Sequence, residues 1–240
     1  MNIKCDLHVH TCLSPCGDLG ASPSALVLKA AETGIGVMAV CDHNSALNCP
    51  AAVEAGKRAG VFVIPGIEVA TRDEVHILAL FPSVESALDL GSRLYELLPP
   101  LPPAARDAAG PDQVYVDIDE VILGEVDKFL AAGADIGIED ILSFVHGEGG
   151  IVIPSHIDKP VFSIISQLGF IPDLPFDAVE IFSPSGMQKA GTSGLPVITS
   201  SDAHFTDDLG RKGIIAETEN VDFFHISELI KGGSFSRYFG

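Results

Sequence analysis

Asp6-Leu7-His8-Val9-His10 spaces two imidazoles so that one strand can present both. Alternate side chains of a strand share a face, which aligns Asp6, His8 and His10 while Cys5, Leu7 and Val9 turn the other way. Two imidazoles so placed can share one metal ion. His43, His76, His156 and His204 also fall within or just after strand-like runs, and carboxylates recur near most of them: Asp42 before His43, Asp158 after His156 and Asp202 two before His204. Glu68 follows Ile64-Pro65-Gly66-Ile67. Any one of these could be a helix cap or a satisfied buried polar group. As a set they point to a metal centre, because the carboxyl ends of the strands of a parallel α/β sheet or barrel converge on one face. Imidazole and carboxylate ligation without thiolate suits Mn²⁺, Fe or Zn²⁺.

Eight short apolar runs read as buried strands: Ile3 to Val9, Val37 to Cys41, Val61 to Ile64, Val75 to Phe81, Ile151 to Ile153, Ala178 to Phe182, Val197 to Thr199 and Gly213 to Ala216. Helical stretches alternate with several of them. The first begins at Ser22-Pro23, a capping residue and a first-turn proline, and ends at Thr33-Gly34. Others are predicted over Pro50 to Ala59, Ser83 to Leu98, Asp119 to Ala132, Ile138 to Glu148, Pro160 to Leu168 and Ser227 to Lys231. This alternation predicts an α/β fold with a mainly parallel sheet, open or closed into a barrel. Residues 83–140 read as an inserted, partly helical region within one domain spanning 1–240. Inside it, Pro99-Pro100-Leu101-Pro102-Pro103 and Ala104 to Gly110 are too proline-rich for helix. A surface linker is the expected role, with a substrate lid as the alternative.

Hydrophobic residues make up 47 % of 240, ample for a core. Fourteen Lys plus Arg against thirty-three Asp plus Glu leave a charge of −19, which speaks against long nucleic acid as a partner while leaving room for one or two phosphates. An odd number of cysteines (Cys5, Cys12, Cys16, Cys41, Cys49), with no signal peptide or membrane span, predicts reduced thiols in a cytoplasmic protein. Cys12 and Cys16 flank the loop after the first motif and Cys49 follows the second. They are expected to be small buried hydrophobes, the alternative being a separate soft-metal or iron-sulfur site.

Six motifs in order, Asp6-Leu7-His8-Val9-His10-Thr11, Asp42-His43-Asn44, Pro65-Gly66-Ile67-Glu68, His76-Ile77-Leu78, Ser155-His156 and Ser201-Asp202-Ala203-His204, resemble those of the PHP (polymerase and histidinol phosphatase) family over nearly the whole chain. The resemblance implies a distorted (β/α)7 TIM-like barrel with two or three divalent ions. By position, it implies a first ion on His8, His10, Glu68 and Asp202, and a second on Glu68 as bridge with His76 and His156. A third would take His43 and His204, with Asp18 completing the set. Three positions depart from the family pattern: Ser14-Pro15-Cys16-Gly17-Asp18 replaces a Ser-Asp-Gly-like run, Cys41 stands where Thr is usual and Ile157 where Pro often follows.

A bridging carboxylate holds two metals about 3.5 to 4 Å apart, a spacing suited to clamping a phosphoryl group in line with hydroxide. Metal-bound hydroxide would attack phosphorus, with Asp202 as proton acceptor and His204 its neighbour. Arg72, Lys159 and Arg211 are the basic residues close in sequence to these motifs and could clamp a phosphate oxygen, a solvated surface charge being the competing reading for each. His146 is expected to serve a helix end and His225 a structural role. The implied activity is hydrolysis of a small phosphorylated metabolite or nucleotide. The alternatives are a nuclease or nucleotide phosphodiesterase acting on short nucleic-acid ends, and a metal-binding regulatory module without turnover. Oligomeric state has no signature in the sequence.

Overall fold

The structure is a computed structural model that describes residues 1–100, 113–191 and 193–240. Strand β1 (Asn2–Val9) alternates exposed and buried residues at its start and is buried from Cys5 onward, as befits a central strand. There follow α1 (Pro23–Thr33), β2 (Ile35–Val40), α2 (Cys49–Ala59), β3 (Phe62–Ala70), β4 (His76–Leu80), α3 (Val84–Leu97), β5 (Val114–Val116) and β6 (Ile122–Glu125). The remainder is α4 (Ile138–Gly147), β7 (Ile151–Pro154), α5 (Ile164–Leu168), β8 (Val179–Glu180), α6 (Met187–Ala190), β9 (Val197–Ile198), β10 (Lys212–Glu217), α7 (Phe223–Lys231) and β11 (Phe235–Phe239). The boundaries of α1 follow from its caps: the Ser22 side chain accepts from the Ala25 N–H, Pro23 occupies the first turn, and Gly34 ends the helix at φ 74°.

Seven strands form one sheet in the order β11-β10-β1-β2-β3-β4-β7. It is mixed rather than mainly parallel: β1–β2 and β2–β3 run parallel, whereas β1–β10, β10–β11, β3–β4 and β4–β7 run antiparallel. Strands buried on both faces have the same apolar look in either orientation, so direction was hidden in the sequence. The turn from β3 to β4 fixes it there. Thr71 N–H donates to Val75 O at 3.0 Å, closing a connection too short for a crossover. Pro65-Gly66 divides β3, with Phe62 to Pro65 pairing to β2 and Gly66 to Ala70 pairing to β4. A Cβ on Gly66 would stand 2.7 Å from Leu80 Cδ2 and 3.0 Å from Cys41 Sγ, so only glycine allows this close approach.

The short parallel pair β8–β9 extends the curl. Asp177 N–H donates to Val152 O beyond β7, Ile157 N–H to Glu180 O, and His10 N–H to Ala203 O, at 2.8 to 3.0 Å. The result is an α/β fold with a sheet curled as in a half-barrel. The inserted region differs from expectation: Asp119 to Ala132 is not helical but includes β6, paired antiparallel to β5. Val114 of that hairpin packs in a small cluster with Cys12, and the Val116 N–H donates to Asn48 Oδ1 at 2.9 Å. The proline-rich linker or lid falls mainly on 101–112, outside the described residues. Strand β11 was missed because Phe235-Ser-Arg-Tyr-Phe239 is largely exposed and carries a weak apolar signal. No helix among the described residues is long and apolar enough to cross a membrane.

Candidate metal centre

Glu68, on the half of β3 paired to β4, is buried with histidines around both of its oxygens. Oε2 lies 3.4 Å from His8 Nε2, 3.3 Å from His10 Nε2 and 3.2 Å from His43 Nδ1. Oε1 lies 3.2 Å from His76 Nδ1 and 3.1 Å from His156 Nε2. Asp202 closes the opposite side, its Oδ1 3.5 Å from His8 Nε2 and 3.4 Å from His10 Nε2. Burial would raise the Glu68 carboxyl, but His8, His76 and His43 outweigh it and hold the group well below its usual range. Burial likewise opposes the charged form of Asp202, and His8 and Lys159 more than offset it.

Several neighbours fix which ring nitrogen faces this cluster. His8 Nδ1 lies 3.0 Å from Glu180 Oε2, so its N–H donates there and Nε2 turns inward. His10 Nδ1 lies 2.9 Å from Ser14 Oγ, whose hydroxyl in turn donates to Asp42 Oδ1 at 2.7 Å. His204 Nδ1 lies 2.8 Å from the carbonyl of Asp202. The His76 ring stacks on Phe162 with centroids 4.9 Å apart. Asn44, His156 and Asp202 sit at φ 48°, 29° and 55°, left-handed conformations that are costly for His and Asp and cluster at functional sites.

Three groups of side chains could each hold an ion: His8, His10 and Glu68; His43, Glu68 and His76; and His10, Cys16, His43 and His204, the donor atoms of each lying within 4.8 Å of one another. Orphaned atoms argue that the residues fit a cation. Nδ1 of His43, His76 and His156 is buried without a hydrogen-bond partner among the described residues, although two of these lie 3.2 Å from Glu68. Imidazoles that face a carboxylate without bonding it are arranged as ligands are, around a shared point.

Of the residues singled out in the sequence, His8, His10, His43, Glu68, His76, His156, Asp202 and His204 come together here. Asp18 does not join them: it is exposed, and its Oδ1 accepts from the Gly20 N–H at 2.8 Å. Asp6 is not among the grouped donors and accepts instead from the N–H groups of Ser201 and Gly210, both at 2.9 Å. Asp42 receives Thr11 and Ser14, and Asp158 receives Phe182 and Ser183. Among the basic residues Lys159 reaches the cluster, where it pairs with Asp202 Oδ2. Arg72 instead pairs with Asp135 and Arg211 with Asp208. Both arginines are more than half solvated or nearly so, and neither lines the cavity of about 400 Å³ that opens on His43, His76, His156 and Lys159.

Sequence reasoning missed Glu180 and Lys212. Glu180 Oε2 takes the His156 N–H as well as the His8 ring, and in the sequence it was one acid within an apolar run. The Lys212 ammonium lies 3.4 Å from the Phe182 ring centroid, with Lys159 on the same ring at 4.8 Å. His146 lies 2.9 Å from Asp177 and His225 2.8 Å from Asp222, both away from the cluster. Cys12 and Cys49 are buried, their thiols directed at the carbonyls of Val114 and Gly66.

A family model of the PHP domain matches residues 6–146. A 5'-3' exoribonuclease of Haemophilus influenzae is 37% identical over 83 residues, 33% of this chain and 29% of that protein. A phosphoribosyl 1,2-cyclic phosphate 1,2-diphosphodiesterase of Eggerthella lenta is 38% identical over 80 residues, 31% of this chain and 29% of that protein. The matched stretch thus spans less than a third of these curated relatives. The lesion-specific endonuclease Q of Pyrococcus furiosus shares the fold with a TM-score of 0.71 at 18% identity, over 99% of this chain and 58% of that one. Endonuclease Q in complex with a 27-mer duplex gives 0.69 at 20% identity, over the same shares. These relatives overturn the argument from net charge against long nucleic acid, since proteins similar to this one act on it. The physical reason is locality: a charge of −19 summed over the surface does not fix the field at a cluster that could hold cations and that contains Lys159.

Proposed function

Because the chain belongs to the PHP family, we propose that it is a metal-dependent phosphoesterase that hydrolyses a phosphate ester of a nucleotide or of a nucleic-acid end. The observation that carries this reading is Glu68, whose two oxygens divide five imidazoles at 3.1 to 3.4 Å. Its bridging position supports one ion on His8, His10 and Asp202 and another on His76 and His156, with His43 and His204 at a third. Bound divalent ions would supply Lewis acidity at the phosphoryl oxygens and lower the pKa of a water.

The chain's own residues handle position and protons. Lys159 offers the phosphate a cation at the mouth of the cavity, held ready by Asp202. Asp202, beside His204 and paired with Lys159, is the candidate proton acceptor for the attacking water. Phe162, which lines this cavity and is exposed, offers an apolar ring on which a base can stack. A cavity of about 400 Å³ has room for a single nucleotide, free or as part of a longer strand.

The test is phosphate or nucleotide release from phosphomonoesters, cyclic and linear nucleotide diesters and 5'-phosphorylated oligonucleotides, after chelation and reloading with Mn²⁺, Fe²⁺ or Zn²⁺. Metal-restored activity that disappears in His8→Ala supports the enzyme, and the preferred ester names its class. Metal uptake without turnover of any ester would make the protein a binding module instead.

A further inference from the structure

The third group of donors contains a residue that the family pattern does not supply. Cys16 Sγ and ring nitrogens of His10, His43 and His204 lie within 4.8 Å of one another. The other four thiols are buried, each directed at a backbone carbonyl: Cys5 at Ile3, Cys12 at Val114, Cys41 at Leu7 and Cys49 at Val40 and Gly66. Cys16 alone is exposed, lines the cavity and has no hydrogen-bond partner among the described residues.

The loop holds it there by specific contacts. The Gly17 N–H donates to Ser14 O at 2.8 Å, and a Cβ on Gly17 would overlap the carbonyl oxygen of Thr11. Ser14 Oγ meets His10 Nδ1 at 2.9 Å and accepts from the His43 N–H at 3.2 Å, so one hydroxyl registers the cysteine loop against two of the histidines. A second observation also points to a ligand: His43 is buried and its Nδ1 has no hydrogen-bond partner among the described residues. Asp18, two residues on, turns its carboxylate to the Gly20 N–H.

We infer that Cys16 is a thiolate ligand of the ion that His43 and His204 would hold, with His10 left to the first ion, which makes that position selective for Zn²⁺, Fe²⁺ or Co²⁺ over Mn²⁺ and Mg²⁺. This rests on the reading of the cluster as a metal centre. One sulfur and two imidazole nitrogens, with a further position open to water, form a zinc-type donor set, and thiolate binds Mn²⁺ and Mg²⁺ poorly. On binding, the Sγ–H bond breaks, its proton goes to solvent and the sulfur lone pair forms the bond to the ion. The positions around Glu68 keep nitrogen and oxygen donors, so the centre sorts metals by position.

Cobalt provides the test, since a thiolate on Co²⁺ gives a charge-transfer band in the near ultraviolet that imidazole and carboxylate do not. Co²⁺ titrated into the metal-free full chain is expected to produce that band. Cys16→Ser should abolish it and weaken Zn²⁺ retention at one position by at least about tenfold. Asp18→Asn should leave both readings unchanged. Cobalt uptake with ligand-field absorption but no charge-transfer band in the unaltered protein overturns the assignment of Cys16 and leaves the metal centre standing. Loss of one ion in Asp18→Asn but not in Cys16→Ser returns the position to the carboxylate. No uptake of Co²⁺ or Zn²⁺ at all removes the centre and the inference together.

Discussion

Glu180 Oε2 accepts from the His8 ring and from the His156 amide, so a single buried carboxylate orients two residues of the cluster that lie far apart in the chain. Supporting acceptors of this kind set imidazole orientation and basicity. Glu180→Gln, which keeps the shape and removes the charge, is expected to weaken metal binding by roughly 10–100-fold, read by competition with a chromophoric chelator. Unchanged affinity would show that His8 needs no anionic partner. Lys159→Ala should raise KM for a phosphate ester while metal content stays constant, because its ammonium is on the cavity and its partner is Asp202. Away from the cluster, burial pushes the Cys49 thiol up to about 12 from an ordinary 9.0. The folded chain therefore keeps a proton that the unfolded chain releases above about pH 9. Its stabilising contribution is complete below that pH and is lost as pH rises towards 12. Urea midpoints should fall between pH 8 and pH 10, and the fall should be smaller in Cys49→Ala.

The loop from Thr11 to Asp18 is an element without regular secondary structure, yet it is as constrained as a strand. Asp42 accepts from the Thr11 N–H, the Thr11 hydroxyl and the Ser14 hydroxyl, each at 2.7 Å, and Gly17 fits against Thr11 where no other residue can. Gly17→Ala is expected to cost about 1–3 kcal/mol by overpacking, measured by chemical denaturation. The variant should also lose the position of Cys16 before it loses the fold. Such a loop explains what the sequence could and could not show. Histidines spaced on strands were legible because strand ends converge, and α1 was legible because Ser22, Pro23 and Gly34 mark its limits. Cys16 was not, since a thiol in a loop gives no sign of which way the loop turns it. Arg72 and Arg211 were misplaced for the same reason: nearness in sequence to Glu68 and His204 says nothing of direction once the chain has left the strand. Strand β6 was read as part of a helix because Val121, Ile122 and Leu123 are apolar yet exposed, which leaves periodicity uninformative.

At the scale of the whole molecule, strands from both ends of the chain lie side by side: β1 pairs with β10, and Val9 bridges to Ala203. The cluster draws His8 and His10 from the first of these, Glu68 and His76 from the middle of the sheet, and Asp202 and His204 from the segment before β10. Removing metal with a chelator is therefore expected to lower the midpoint of thermal unfolding of the entire chain rather than loosen one loop, and re-adding Zn²⁺ or Mn²⁺ should restore it. A thermogram that keeps its midpoint and loses only a minor transition would place the ions outside the cooperative unit. In the language of polymers, ions bound as proposed would be reversible cross-links joining residues 8, 10, 43, 68, 76, 156, 202 and 204, some of them nearly a chain length apart. The entropy of an unfolded chain is reduced most by links that close its longest loops. The arrangement that gathers ligands for chemistry thus also ties the start of this sequence to its end, with a knot that a change in metal supply can loosen.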